Sequence, residues 1–135
     1  MAAAWGAGLF QDDLATDFAN QIVDGGVAVL RRTFDDATRT IGHLLYEPAV
    51  RTLIAAEVLA ALGGRPTKAL PPELQDWVGS RHGEAIPEAL WPLSRVAVER
   101  VKDDSEISEL WARSSEFARW IDKVEDLLGR LERSA

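Results

Sequence analysis

From Val27 onward, apolar side chains recur at Val27, Leu30, Phe34, Ala37, Ile41 and Leu44. These alternating steps of three and four residues keep one stripe of an α-helix turned toward a partner. Spacing of this kind runs through nearly the whole chain and restricts its fold more than any other feature. Segments that alternate apolar and polar residues, the mark of a half-buried strand, are nearly absent, and β-branched residues stand singly among Ala, Leu, Glu and Arg. The expectation is an all-α fold, a single compact helical domain of six or seven helices. At 135 residues the chain is short for two domains.

Capping and breaking residues divide the pattern. Asp12 or Asp13 caps a first helix carrying Leu14, Ala15, Phe18 and Ile22, which Gly25-Gly26 ends. The stripe from Val27 makes a second helix, roughly residues 27 to 42. Glu47-Pro48 opens a third, with Val50, Leu53, Ile54, Val58, Ala61 and Leu62 on its apolar side before Gly63-Gly64. Arg65 to Pro72 is a surface loop, and Pro71 or Pro72 starts a short helix through Leu74, Trp77 and Val78 that closes around Gly79. A further helix runs to about Lys102, with Leu90, Leu93, Val96, Ala97, Arg100 and Val101 in register. Pro92 would cost ~3 kcal/mol in its interior, so it predicts a kink or a start near Leu90.

The last segment has a phase offset. Ile107, Leu110, Trp111 and Ser114 share one face, whereas Phe117, Trp120, Ile121, Val124, Leu127, Leu128 and Leu131 share another. On one continuous helix the two would stand roughly 90° apart. A break at Ser114-Ser115 lets both point inward, with Ser115 as N-cap of the second piece and Asp103 with Glu106 as a capping box for the first.

Charge and composition narrow the function. The chain carries 22 acids against 15 bases, a net charge of −7, spread without an acidic tail. The densest basic cluster is Arg31, Arg32 and Arg39, which disfavours nucleic acid as a partner. Without cysteine there are no disulfides, thiolate nucleophiles or cysteine zinc sites. The first base is Arg31, and the most apolar stretch, Leu53 to Leu62, is short and interrupted by Glu57. Neither secretion nor membrane association is expected, and a cytoplasmic location follows by default. GxSxG, HExxH, GxGxxG and the phosphate loop are missing. Gly63-Gly64-Arg65-Pro66-Thr67-Lys68 follows a helix and reads as its end. No catalytic, cofactor-binding or metal residue is assigned, and no cofactor is called for.

Several residues still stand out. His43 and His82 are the only imidazoles and read as surface or helix-end residues, with His43 placed where a helix C-terminus favours a protonated ring. Asp12, Asp13 and Asp17 gather carboxylates that suit either N-terminal capping or a hard cation. Glu57 is the sharpest anomaly, because it falls near the middle of the third helix's apolar stripe. A carboxylate facing the core needs a donor, either an Arg or a group of backbone amides. It then acts as a structural tie or, beside the Asp12 cluster, as an acid-base residue.

The amino terminus, Trp5-Gly6-Ala7-Gly8-Leu9-Phe10-Gln11-Asp12-Asp13, combines two turn-permitting glycines with two large anchors, Trp5 and Phe10. It reads as an ordered, non-helical Trp-Gly-x-Gly plug. This stretch resembles the bacterial family known as domain of unknown function 4259, whose members open with Trp-Gly-x-Gly-aromatic and Asn/Asp-Asp. The likeness continues through Ala55-Ala56-Glu57-Val58, Leu70-Pro71-Pro72-Glu73-Leu74 with Trp77, Ser105-Glu106 with Glu109-Leu110-Trp111, and Trp120 to Leu131. Gln11 departs from the usual Glu or Asn, and extra alanines lengthen the start. The resemblance implies a small, helical, intracellular bacterial domain and supplies no reaction. Trp5, Gly6, Gly8, Asp13, Glu57 and Trp111 are its marks in this chain. Combined with the inward carboxylate, it suggests that Glu57 accepts hydrogen bonds from the Trp5 to Gly8 turn.

The expected function is a non-catalytic interaction module of the inhibitor, immunity or regulatory type, whose acidity suits a basic protein partner. The alternative is a small-molecule or metal-dependent enzyme using Asp12, Asp13, Asp17 and Glu57. Five tryptophans also allow a homo-oligomer.

Overall fold

The computed structural model describes residues 13–81 and 85–132. It contains seven helices among them: α1 (Asp13–Gly25), α2 (Val27–Arg39), α3 (Tyr46–Leu62), α4 (Pro72–Ser80), α5 (Leu90–Asp103), α6 (Glu106–Ala112) and α7 (Phe117–Leu131). The all-α expectation holds, with no named strand among the described residues. The Trp-Gly-x-Gly segment lies outside them, as does its suggested bond to Glu57.

The architecture is a ring of helices around α3, which packs against all six others. Every residue from Thr52 to Ala61 is buried, as are Ala49 and Val50. The periodicity predicts one apolar stripe here, and the structure instead covers the helix on all sides. Ala55, Ala56 and Ala60 allow this because a methyl lets neighbouring backbones come close, and they face what the stripe left as the outer side. Thr52 is tolerated inside because its hydroxyl donates to the Pro48 carbonyl at 2.8 Å.

Around this axis α1 buries Ala15, Phe18, Ala19 and Ile22, and α2 buries Val29, Leu30, Phe34 and Ala37. The turn between them depends on Gly26, whose φ of 70° and ψ of −151° belong to a region open essentially to glycine. α5 starts at Leu90, so Pro92 falls in the first turn, where a missing N–H is harmless.

Further expectations are corrected, among them the inward placing of Leu110 on α6, which is 44% exposed. α2 stops at Arg39, because Thr40 turns extended and its N–H and hydroxyl close back on the Asp36 carbonyl. Ile41, assigned to the buried stripe, is therefore 98% exposed, and Leu44 is buried from a loop instead of a helix. In α5 the inward face keeps Leu90, Ala97 and Val101 as expected but widens through Trp91, Ser94 and Val98, while Val96 points out. The capping residues of the last two helices also differ. Asp103 ends α5, and Ser105 caps α6 by accepting from the Ser108 N–H at 3.1 Å in a box completed by the Ser108 hydroxyl. The break expected at Ser114-Ser115 is present, spanning residues 113–116, but Glu116 and not Ser115 holds the N-cap position of α7. Ser114 accepts from the Glu116 N–H at 3.1 Å, which turns the chain.

Candidate functional site

Two polar centres interrupt this apolar body. The inner one belongs to Glu57, which is fully buried on α3. Arg130 of α7 reaches it with both terminal nitrogens, at 2.8 Å to Oε1 and 3.1 Å to Oε2. This is the two-point geometry that planar guanidinium offers a carboxylate. Arg130 also binds Asp126 at 2.8 Å and donates to the Arg65 carbonyl at 3.2 Å, so one cation joins α3, α7 and the loop after α3. Burial works against its charge, and the bonds to Glu57 and Asp126 outweigh that, leaving its pKa raised. Among the described residues Glu57 thus meets an Arg, one of the two kinds of donor the sequence allows for it.

The outer centre is a seam where the loop between α2 and α3 meets the junction of α5 and α6. The Leu44 N–H donates to the Asp104 carbonyl at 3.2 Å, and the Glu106 N–H donates to the Leu44 carbonyl at 2.9 Å, a single parallel bridge that pins Leu44 beside Ser105. Glu106 then turns its side chain onto the Tyr46 N–H at 2.6 Å. Leu45, the N-cap residue of α3, makes no side-chain cap bond, so a carboxylate from another helix satisfies that donor and faces the positive end of the α3 dipole. Gly42 adopts a φ of 86° in this loop, and its carbonyl accepts from Arg100, which also reaches the Ala37 carbonyl at 3.3 Å.

His43 closes the seam. Its Nδ1 lies 2.6 Å from Asp104 Oδ1 and its Nε2 lies 2.7 Å from Glu109 Oε1. These bonds, that to Asp104 foremost and that to Glu109 next, raise its pKa above the usual 6.5. The proton-favouring influence expected of a helix C-terminus thus comes from two acids 61 and 66 residues away, which no local pattern reveals. Beside the imidazole, Tyr46, Glu106, Glu109, Leu110 and Arg113 line a cleft of about 270 Å³. A more apolar cleft of about 390 Å³, lined by residues including Ala61, Lys68, Leu70 and Val78, lies between the end of α3 and α4.

The residues singled out in the sequence fall in separate places. Trp5, Gly6, Gly8, Phe10 and Asp12 lie outside the described residues. Asp13 and Asp17 are exposed on α1, whereas Glu57 is sealed inside against α7. Trp111 is half-buried on α6 and stacks on Trp120 of α7, with ring centroids 6.4 Å apart, so the two aromatics brace the break between these helices. Trp77, Trp91 and Trp120 are buried. Among the described residues no three of His, Asp or Glu converge as metal ligands, and no helix is long and apolar enough to cross a membrane. The two acids on His43 sit at opposite ring nitrogens and so do not share one coordination point with it.

Neither the curated proteins nor the solved structures yield a match to the chain. A family model described as a domain of unknown function (DUF4259) matches residues 3–123 and so includes Glu57 and the whole His43 seam, while Arg130 lies beyond it. With nearly the full length of the chain covered, the protein belongs to the DUF4259 family.

Proposed function

We propose that this domain is a non-catalytic protein-interaction module, of the inhibitor, immunity or regulatory type, that binds a basic partner through the seam between residues 40–46 and α6. One observation carries the reading. Ile41, Leu45 and Leu110 are 98%, 60% and 44% exposed on the two strips of chain that meet there, in the company of Asp103, Asp104, Glu106 and Glu109. Single exposed aliphatics need no explanation. Three of them on one seam, beside a cleft and the exposed carboxylates of Asp103, Asp104 and Glu109, the last two shared with His43, offer apolar anchoring together with attraction for cationic side chains. The net charge of −7 would steer the same class of partner from a distance.

The enzyme reading draws less support. Glu57 is occupied by Arg130, and Asp13 and Asp17 face solvent on a different helix, so the proposed carboxylate set has no shared cleft among the described residues.

Capture from native cell extract tests the interaction reading. The full chain is expected to retain a basic protein that elutes as salt rises, because screening weakens exposed charge pairs. The Leu45→Asp/Leu110→Asp variant is expected to bind it at least about tenfold more weakly, and Val23→Asp, on the exposed side of α1, to bind it as the parent does. Equal retention by the seam variant would remove the basis of the proposal.

A further inference from the structure

We propose that His43 is a proton-operated latch: doubly protonated, it ties the loop between α2 and α3 to the junction of α5 and α6 at two points, and loss of one ring proton gives up one of them. The argument begins with donor arithmetic. A carboxylate only accepts hydrogen bonds, and both ring nitrogens of His43 face one, Asp104 Oδ1 at 2.6 Å and Glu109 Oε1 at 2.7 Å. A neutral imidazole donates from a single nitrogen, so only the imidazolium satisfies both contacts. Deprotonation turns one of them into a lone pair facing an anion.

The surroundings make this titration count. The His43 side chain is 37% exposed, so solvent protons reach it. On the α5 side, Arg100 holds the Gly42 carbonyl and stands 3.8 Å from the second oxygen of Asp104. On α6, Glu106 binds Tyr46 N–H, and Arg113 borders the cleft with Glu109. Arg39 closes α2, and Glu47 pairs loosely with Arg51 at the start of α3. Among these groups, histidine is the side chain whose ordinary titration falls near neutrality. The Arg100 contacts therefore persist when the imidazole discharges, and release is local to residues 43–46 and α6.

The direction follows from the raised folded-state pKa. The latch contributes fully below about pH 6.5, the value of an unconstrained histidine, and its contribution disappears as pH climbs through the raised value. The claim needs no partner, so it can fail while the interaction reading stands, and the reverse.

The test uses the full chain labelled with ¹⁵N, from about pH 6 to about pH 9. The His43 ring nitrogens are followed by NMR, while hydrogen exchange at the Leu44 and Glu106 amides, corrected for intrinsic rates, reports seam opening. The expected result is two equivalent, protonated ring nitrogens at the acidic end. Protection should then fall tenfold for each unit by which the ring titrates above about 6.5, with a flat profile in His43→Gln. Glu109→Gln provides a second test that keeps the histidine: ring titration and protection profile should move to lower pH together. A ring already neutral at about pH 6, protection independent of pH, or the same profile in His43→Gln would each overturn the latch. So would a Glu109→Gln variant in which only one of the two profiles moves.

Discussion

A fully buried carboxylate persists at the centre of this domain because a guanidinium meets it at two points. Removing a charge's partner inside a protein costs more than the pair itself contributes, since the survivor stays desolvated. Arg130→Ala is accordingly expected to lower stability by about 3 kcal/mol in urea unfolding. Arg130→Lys should recover part of that, because an ammonium restores charge without the planar fork. Replacing both residues with methionine should recover most of it, as apolar substitutes often match buried ion pairs. A loss below about 0.5 kcal/mol for Arg130→Ala, the ordinary range of a surface change, would show that the pair does not hold α7 to α3. Half of this arrangement is legible in the sequence. Glu57 declares itself by its phase among Val50, Leu53, Ile54 and Val58, whereas Arg130, 73 residues away, stands beside the apolar stripe of α7 and looks like any surface arginine.

At the scale of elements, caps show where local pattern and tertiary structure part. Asp103 and Glu106 have the spacing of a capping box, yet α5 runs through Asp103, and Asp104 at φ −153° delays the start of α6 until after Ser105. Freed from that role, Glu106 caps α3. Glu106→Ala should therefore destabilise the protein by about 1 kcal/mol, the usual worth of an N-terminal cap. Hydrogen exchange at Tyr46, which lies on α3, should accelerate more than exchange within α6. Faster exchange confined to α6 would return Glu106 to its own helix. The interruption between α6 and α7 is readable without structure, because two apolar stripes out of phase cannot both face inward on one straight helix.

At the scale of the whole molecule, the position of α3 governs the tolerance of the fold. A helix enclosed by six neighbours has no side on which to expand, so Ala60→Leu is expected to cost about 1–3 kcal/mol through overpacking, measured by thermal or urea unfolding. A leucine introduced on the exposed side of α1, by Asn20→Leu, should leave stability within about 0.5 kcal/mol. Equal effects at the two sites would mean that the interior around α3 can yield.

By itself the sequence determined the helical class, the positions of most helices, the break before α7 and the likeness to the DUF4259 family. The first three rest on residues three or four apart or on turn-forming residues whose preferences are local, and the likeness rests on short motifs read in order along the chain. Only the tertiary structure decided which helix is enclosed, which cation meets Glu57 and which acids hold His43. Those choices depend on packing between segments some sixty to seventy residues apart, where one-dimensional spacing carries no record of direction or distance.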